Sequence, residues 1–331
     1  MRLGPILGGE RVPNVIDKEQ KITIRSPSSI ANIGPGFDVI SMAIEGLQDT
    51  VIISARKGDG LIKVSSRGFN VPSGPGNVAY HVASEFCRKY GIRNSDIHIE
   101  IIKGVPPALG LGSSAATSAA VAYGLSLLFD IKLNRKELVM LAGIGEKYAS
   151  GSAHYDNVAA SLFGGFVIVD AETGEVYQKI PSITVPVAIV SPLVNYSSEH
   201  RKTEYARSIL PQNILLSDHV KQSSALAKLV YGIMSDDLRL IGEAVSRDYI
   251  VEKHRAKLIP FYYELKKLAI DNGCLGFNIA GAGPSVFLIH ESMEKAESAA
   301  KMLSYFLQSK GVAARTFTTR VSSKGTTWSY D

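Results

Sequence analysis

The chain contains little cysteine, and this scarcity excludes several kinds of protein. Only two of the 331 residues are cysteines, and Cys87 and Cys274 are far apart with no neighbours at metal-ligand spacing. Free thiols in a reducing cytoplasm are therefore favoured over a disulfide framework or a thiolate metal site. The first twenty residues lack the apolar core of a secretion signal, which also predicts a cytoplasmic protein.

Concentrated charge and long apolar runs are scarce as well. The net charge is +5, but lysine and arginine are dispersed and no basic run exceeds three residues. A solvated basic surface is thus favoured over nucleic-acid binding, and its mildly positive field suits an anionic substrate such as a nucleotide. Residues 104–129 carry no charge, yet Pro106 and Pro107 interrupt their start. The remaining helix would be ~25 Å long, too short for a bilayer core, so we expect a buried helix and no membrane partner.

The pattern of strands and helices predicts an α+β protein of two domains, since the length fits two units of about 150 residues each. Strands are predicted at 21–26, 51–55, 61–65, 97–105, 163–169, 187–190, 277–281, 285–290 and 312–319, and helices at 77–90, 113–129, 134–150, 213–233, 236–250, 255–272 and 293–309. We interpret residues 1–20 as an N-terminal arm and 21–175 as a strand-rich first domain. Residues 176–331 then form helices on one small antiparallel sheet.

The most informative segment is 106–116, which lies between the clearest strand and the uncharged helix. Backbone N–H groups and the positive end of a helix dipole can face a phosphate at such a place. Gly110 and Gly112 let the backbone approach the oxygens, and Ser113 and Ser114 add hydroxyls for a phosphate or Mg²⁺. A plain glycine turn with a serine cap is the alternative. The doubled serine, the paired prolines and the strand–loop–helix context favour the phosphate loop.

This loop differs from the two commonest nucleotide-binding motifs. The sequence has no G-x-x-x-x-G-K-[ST], which excludes a P-loop NTPase, and no G-x-G-x-x-G after a strand, which weakens a Rossmann interpretation. Its pattern P-x-x-x-G-L-G-S-S-A-A instead resembles the second motif of the GHMP kinases (galactokinase, homoserine kinase, mevalonate kinase and phosphomevalonate kinase). S-P-S-S-I-A-N-I-G-P-G-F-D at 26–38 and G-A-G-P-S at 281–285 resemble the first and third motifs, in the expected order.

Further segments resemble the homoserine kinases within that superfamily. They are A-N-I-G-P-G-F-D at 31–38, G-S-A-H-Y-D-N-V at 151–158, T-E-Y-A-R with I-L-P at 203–211, and E-K-H-R with L-I-P at 252–260. The resemblance covers about residues 21–320. It implies a two-domain GHMP-kinase-like fold, with an N-terminal ribosomal-S5-like α/β domain and a C-terminal ferredoxin-like α+β domain. It also implies ATP-dependent phosphorylation of the side-chain hydroxyl of L-homoserine, a step of threonine biosynthesis, and leaves a homodimer open.

The resemblance also implies roles for individual residues. Those expected around the ATP phosphates are Pro106, Pro107, Ala108, Leu109, Gly110, Leu111, Gly112, Ser113, Ser114, Ala115 and Ala116, with Asn77 and Lys103 contacting the nucleotide. Ser114 and Glu146 are expected to hold Mg²⁺, with Ser113 as the alternative to Ser114. The expected substrate residues are Asn32 at the hydroxyl, Asp38 at the ammonium, Arg207 and Arg255 at the carboxylate, and Thr203, His154, Asp156 and Asn157 around them. A zwitterion needs such an anion and such guanidinium groups.

Each residue also has a less specific interpretation. Asp38 can be a turn aspartate, Arg207 and Arg255 surface arginines, His154 a loop histidine and Glu146 a solvent-facing carboxylate. Together in the motif set, the functional interpretation is favoured for all five.

The first motif lacks the lysine that mevalonate kinase-like relatives pair with a catalytic aspartate. We therefore expect direct attack by the bound hydroxyl, and Asp156 as general base is the alternative. Two other functions remain open: a kinase for shikimate or mevalonate, and a non-catalytic nucleotide-binding regulator.

Overall fold

The computed structural model describes residues 18–151, 153–194 and 199–330, and of 199–202 it describes the backbone alone. Almost all of the expected arm at 1–20 lies outside these residues. The strands are β1 (Gln20–Ala31), β2 (Ile40–Lys57), β3 (Ile62–Gly68), β4 (Ser95–Lys103), β5 (Phe166–Val169), β6 (Val176–Lys179), β7 (Pro186–Pro192), β8 (Gly276–Ile279), β9 (Val286–Ile289), β10 (Ala314–Arg320) and β11 (Thr327–Tyr330). The helices are α1 (Val78–Tyr90), α2 (Ser113–Leu128), α3 (Arg135–Ser150), α4 (Tyr155–Phe163), α5 (Glu199–Ser208), α6 (Leu216–Met234), α7 (Leu238–Val245), α8 (Glu252–Arg255), α9 (Tyr262–Asp271) and α10 (Met293–Ser309).

The first layer is a mixed sheet in the order β11-β1-β2-β4-β3, with β5 paired to β2 and β6 to β5. One face of β1 alternates Ile22 and Ile24, which pack with Val51 and Ile53 of β2 against helices α1 to α4. Helix α2 is buried around most of its circumference, as its lack of charge predicts. Among the described residues no helix combines the length and the apolarity needed to cross a bilayer.

The second layer is an antiparallel sheet in the order β10-β7-β9-β8. Helices α9 and α10 cover one face around Phe277 and Leu303, and α6 and α7 supply Leu229 and Ile241 to a core shared with the first sheet. This is the predicted arrangement of helices on one small sheet. Two strands depart from the expected division at 175/176, because β6 and β11 both pair within the first sheet.

Two predicted helices are shorter in the structure. The helix expected over 255–272 is interrupted at Pro260, which has no N–H to donate and disfavours helical backbone before it, and Phe261 adopts a φ of +55°. The helix expected over 236–250 ends at Val245. Helices α4 and α5 and strands β6 and β11 were not predicted.

Candidate active site

The loop between β4 and α2 is held against the protein on several sides. Gly110 has a φ of +77°, and a Cβ there would lie 2.2 Å from the carbonyl oxygen of Ala280. Gly112 has a φ of +63°, and its Cβ would lie 2.1 Å from Ser29 Oγ. Both positions thus require glycine for backbone conformation and for space. The close approach to Ala280 joins the loop to the third motif, which follows β8.

The carbonyl groups of the loop point into the protein. Leu111 O accepts a hydrogen bond from Ser28 Oγ at 2.7 Å, and Leu109 O accepts one from Ser285 Oγ at 2.6 Å. Helix α2 begins after Gly112, which gives it no side-chain cap, and its first turn carries no acidic residue. The N–H groups of that turn and the positive end of the helix dipole are therefore available to an anion.

A single cleft gathers most of the predicted residues. Those that line it are Asn32, Asn77, Lys103, Pro107, Ala108, Gly110, Leu111, Gly112, Ser113, Ser114, Glu146, His154, Asn157, Thr203 and Arg255. The predicted residues that do not line it are Pro106, Leu109, Ala115, Ala116, Asp38, Asp156 and Arg207. Ala115 and Ala116 are fully buried in the cores, and the N–H of Ala116 is bonded to Gly112 O. Their side chains contribute packing and do not face the cleft.

Glu146 reaches the cleft from α3 and is almost completely buried. Burial raises its pKa, although His154, a hydrogen bond from the Ser114 hydroxyl and Lys103 act in the opposite direction. Among the described residues, Glu146 Oε1 has no hydrogen-bond partner. A buried carboxylate oxygen beside a hydroxyl and an open helix N-terminus is a fitting oxygen donor for a hard divalent cation.

Asn77 and Lys103, expected at the nucleotide, both make strong contacts within the protein. Asn77 caps α1 by accepting from the N–H of Ala79 at 2.9 Å, and it donates to Pro72 O at 2.7 Å. Lys103 Nζ contacts the carboxylate of Asp49 and donates to Ser113 O at 2.5 Å. Their direct contact with a nucleotide stays a prediction.

Beside the other end of the cleft, next to His154, Asp38 and Arg207 form an ion pair, with 2.6 Å between Arg207 Nη2 and Asp38 Oδ2. The backbone N–H of Asp38 donates to Asn32 Oδ1 at 2.9 Å, and both residues have left-handed φ values of 56° and 58°. Burial raises the pKa of Asp38, but His154 and Arg207 outweigh it and hold the pKa below its ordinary value. Asp38 is therefore an anion at neutral pH.

Arg255 brings a second guanidinium group to the same end. It is 3% exposed, and it donates to Ala206 O at 3.1 Å and Gly281 O at 3.0 Å. Burial lowers its pKa to about 10, which leaves it cationic at neutral pH. Arg207 and Arg255 both lie over the ring of Phe37, at 5.6 and 5.0 Å from its centroid. The ring of Phe37 thus brings the guanidinium groups of Arg207 and Arg255 to the same part of the site.

His154 and Asp156 lie next to these charges, at the start of α4. Burial lowers the pKa of His154, but Asp38, Glu146 and Asp156 together raise it above its ordinary value. Burial raises the pKa of Asp156 to about 6, with Asp38 acting in the same direction. Asp156 Oδ2 is buried and has no hydrogen-bond partner among the described residues. Asp156 does not itself line the cleft.

Several residues near the site had no predicted role. Phe37 is part of the first motif, but its position in the sequence did not indicate that two arginine side chains would pack over its ring. Tyr148 lines the cleft and stacks on His81 at a ring distance of 3.6 Å. Asp49 contacts Lys103. It could have been found from the sequence, because it is a charged residue two positions before Val51 and lies on the same buried face of the strand.

Comparisons with known proteins identify the family. Residues 77–165 match the family model described as GHMP kinases N terminal domain, and residues 226–308 match GHMP kinases C terminal. The homoserine kinase of Thermoplasma volcanium is 33% identical over 303 residues, which are 91% of this chain and 95% of that protein. The homoserine kinase of Methanococcus maripaludis is 36% identical over 274 residues, 82% of this chain and 88% of the relative.

Comparison with solved structures indicates the same family. The crystal structure of homoserine kinase from Cytophaga hutchinsonii has a TM-score of 0.83 and 32% identity, and the match covers 94% of this chain and 98% of that one. Mevalonate diphosphate decarboxylase from Staphylococcus aureus shares the fold alone, with a TM-score of 0.71 at 18% identity. The expected two-domain GHMP-kinase fold is confirmed, and the chain belongs to the homoserine kinase family of the GHMP kinases.

Proposed function

We propose that the protein transfers the terminal phosphate of ATP to the side-chain hydroxyl of L-homoserine, giving O-phospho-L-homoserine and ADP for threonine biosynthesis. One observation supports this most directly. One cleft has an open helix N-terminus at one end and His154 and Arg255 at the other, and the ion pair of Asp38 and Arg207 adjoins that second end beside His154. The first end suits phosphates, and the second suits a small zwitterion.

The phosphate loop would bind the nucleotide mainly through its backbone. The carbonyls of Leu109 and Leu111 are held by serines, and the first-turn amides of α2 would then donate to the β- and γ-phosphates. Ser113 Oγ donates to Val105 O at 2.9 Å, whereas the Ser114 hydroxyl bonds to Glu146. Ser114 is therefore the serine we propose as the metal ligand.

Ser114 and Glu146 would together hold Mg²⁺, and this pair fits the ion because it offers a buried carboxylate oxygen that has no other partner. The described part of the chain contains no cluster of three or more His, Cys, Asp or Glu that could hold a metal. Two protein oxygens with phosphate and water oxygens are a usual set for Mg²⁺. The ion would neutralise charge on the phosphoryl group during transfer.

Substrate binding would exchange an internal ion pair for pairs with the substrate. Asp38 and Arg207 contact each other at 2.6 Å. The homoserine ammonium would take a place at Asp38, and its carboxylate would bind Arg207 and Arg255. Asn32 would then contact the hydroxyl, with Thr203, His154 and Asn157 around it. Because both ions of the pair receive a partner of opposite charge, no buried charge is left uncompensated.

In the proposed reaction the homoserine hydroxyl oxygen attacks the γ-phosphorus, and the bond from that phosphorus to the β,γ-bridging oxygen breaks. Asn32 orients the hydroxyl, and the amides of the loop stabilise the phosphoryl oxygens. In direct attack the hydroxyl proton passes to an oxygen of the transferred phosphoryl group as the new bond forms. Asp156 has a pKa of about 6 and is mostly ionised at neutral pH, so proton acceptance by Asp156 remains the alternative to direct attack.

Three further proposals come from the sequence. The first is a cytoplasmic location. The second is a division into domains at 21–175 and 176–331, except that strands β6 and β11 belong to the sheet of the first domain. The third is a homodimer, which the sequence leaves open.

A shikimate or mevalonate kinase is not favoured, because neither substrate needs both Asp38 and two arginines. A non-catalytic regulator is not favoured either, since Glu146 and both arginines are present.

A coupled assay for ADP formation tests this proposal across L-homoserine, shikimate, mevalonate and L-threonine. We expect turnover that requires Mg²⁺ or a similar metal and a kcat/KM that is far higher for L-homoserine than for the others. A higher kcat/KM with shikimate or mevalonate would make the substrate assignment wrong. The absence of turnover with all four, together with tight ATP binding, would favour the regulator.

A further inference from the structure

Asp49, which has no place in the proposed reaction, lies fully buried beneath the phosphate loop. Its carboxylate contacts both ends of that loop. Oδ1 accepts from the N–H groups of Gly104 at 3.1 Å and Val105 at 3.0 Å, where the loop begins. Oδ2 accepts from Thr117 Oγ1 at 2.6 Å, in α2 where the loop has ended. One side chain therefore joins the strand before the loop to the helix after it.

Lys103 completes this group of contacts. Its ammonium has three donors, and three acceptors lie around it: Asp49 Oδ2, Thr117 Oγ1 at 2.9 Å and Ser113 O at 2.5 Å. Burial lowers the pKa of Lys103, and the charge of Asp49 opposes that effect. The lysine is thus held inside the protein by the same atoms that hold the loop.

The strand register explains how the two charges meet. Val51 of β2 pairs with Ile101 of β4, and both face the core. The next inward positions in the same register are Asp49 and Lys103, 0% and 4% exposed. An apolar pair at such positions would generally stabilise a core at least as well as a buried ion pair. The charges are therefore better explained by what they position than by stability.

We propose that Asp49 is a positioning residue that, with Thr117 and Lys103, fixes the spacing between the two ends of the phosphate loop. This inference rests on the proposed nucleotide binding. Asp49 acts through the amides of Gly104 and Val105 and through α2, and it does not touch the nucleotide. Removing a contact among Asp49, Thr117 and Lys103 would displace the backbone amides that bind the phosphates. The contacts of the protein with the nucleotide base and with homoserine would stay unchanged.

Calorimetric titration of the full chain with ADP and with adenosine separates these contributions. Thr117→Val removes the hydroxyl at nearly constant volume, and Asp49→Asn removes the charge. We expect ADP affinity to fall about 10- to 100-fold in both variants, with adenosine affinity and homoserine KM unchanged. Ser126→Ala is the matched control, because this hydroxyl of α2 bonds to Tyr123 O within the helix, and all three values should stay at the wild-type level.

The outcomes separate failure of this inference from failure of the proposed function. A wild-type protein that binds neither ADP nor ATP contradicts the proposed function. Wild-type ADP affinity in Thr117→Val, or equal losses of ADP and adenosine affinity, would overturn the positioning role. If Asp49→Asn fails to fold, wild-type ADP affinity in Thr117→Val still overturns the positioning role.

Lys103→Met gives an independent check. If Lys103 belongs to the positioning group, its removal should weaken ADP binding and leave adenosine binding unchanged. Removing Asp49 as well should then add little, because residues that act as one unit are not additive. Loss of adenosine affinity in Lys103→Met would instead place the lysine at the nucleotide base and contradict its membership of the group.

Discussion

The phosphate end of the cleft offers backbone amides, whereas the substrate end offers charged side chains. At the phosphate end, serine hydroxyls turn the carbonyls of the loop inward, and glycines allow its close packing. At the substrate end, Arg207 and Arg255 both lie over the ring of Phe37, and Arg207 also forms an ion pair with Asp38. The first end recognises a feature common to all nucleoside triphosphates, and the second recognises the charge pattern of one small molecule.

Substitutions at the two ends should therefore impair binding in different ways. Every substitution except one to proline keeps the backbone N–H, so the phosphate end is sensitive mainly to changes that move its backbone. A charge is removed by a single substitution, so the substrate end is sensitive to loss of particular side chains. Glu146 belongs to neither pattern, because it interacts with both Ser114 and His154 and its role is proposed to be metal binding.

The largest expected effect is that of Gly110→Ala. The new Cβ would lie 2.2 Å from Ala280 O and 2.9 Å from Gly283 O, both backbone atoms that cannot turn away, and the φ of +77° adds strain. We expect kcat/KM for ATP to fall about 10²–10³-fold, because the loop amides move from their positions. Steady-state kinetics measure this directly.

Gly91→Ala is the control for backbone strain, since Gly91 has a φ of +68° but no atom lies near its Cβ position. It should lose some stability and keep its ATP kinetics. Equal kinetic losses in Gly91→Ala and Gly110→Ala would show that destabilisation, and not the loop position, accounts for the effect.

Glu146→Gln should have the next largest effect. The substitution keeps the shape but removes the charge from the one buried carboxylate oxygen that we propose for Mg²⁺. We expect kcat to fall roughly 10²-fold and the Mg²⁺ concentration needed for half-maximal rate to rise. The control is Glu100→Gln, at a half-buried carboxylate of β4 that pairs with Arg67, and it should leave both values unchanged. Wild-type turnover at low Mg²⁺ in Glu146→Gln would remove Glu146 from the metal site.

Arg207→Ala should affect the substrate end alone. The loss of one charge-assisted contact costs about 1.5–3 kcal/mol, which raises the homoserine KM roughly 10- to 100-fold and leaves the KM of ATP nearly constant. Arg239→Ala, which removes a surface arginine paired with Glu291, serves as the control. Equal increases in both KM values would indicate that Arg207 holds the fold together.

Asp156→Asn should have the smallest kinetic effect. If the residue only orients its neighbours, kcat should fall about tenfold, whereas a required general base contributes about 10²–10⁴-fold. A thousandfold loss with homoserine still bound would show that Asp156 accepts the proton.

The same variant should change the pH dependence of stability. The folded-state pKa of about 6 lies above the ordinary value of 3.8, so the stability from protonated Asp156 is lost as the pH rises through 6. Asparagine stays neutral, so Asp156→Asn should unfold at a higher temperature than the wild type above pH 6 and show no such advantage below about pH 4. Equal unfolding temperatures at every pH would contradict the raised pKa.

Much of the fold followed from local patterns in the sequence. Alternation of apolar residues located β1 and β4, and the charge-free segment after Gly112 located α2 within one residue of its observed end. The order of the three motifs then gave the family, and most of the predicted residues line one cleft. These features depend on neighbours in the chain, which is why sequence patterns could reveal them.

Features that depend on distant residues were not predicted. Strand β11 pairs with β1 from the opposite end of the chain, and Asp38 pairs with Arg207 across 169 positions. The contact between Asp49 and Lys103 depends on the register of β2 and β4. A charge at an inward position of a strand indicates that a partner is needed, but only the fold shows which residue that partner is.

The charges at the substrate end are tested most directly by comparing L-homoserine with two analogues at saturating Mg²⁺-ATP. The first, 4-hydroxybutyrate, lacks the ammonium, and the second, 3-aminopropan-1-ol, lacks the carboxylate. Because each analogue leaves Asp38 or the arginine pair without a partner, kcat/KM should fall at least about 10- to 100-fold for both. An analogue used as well as L-homoserine would contradict recognition of the substrate by its two charges.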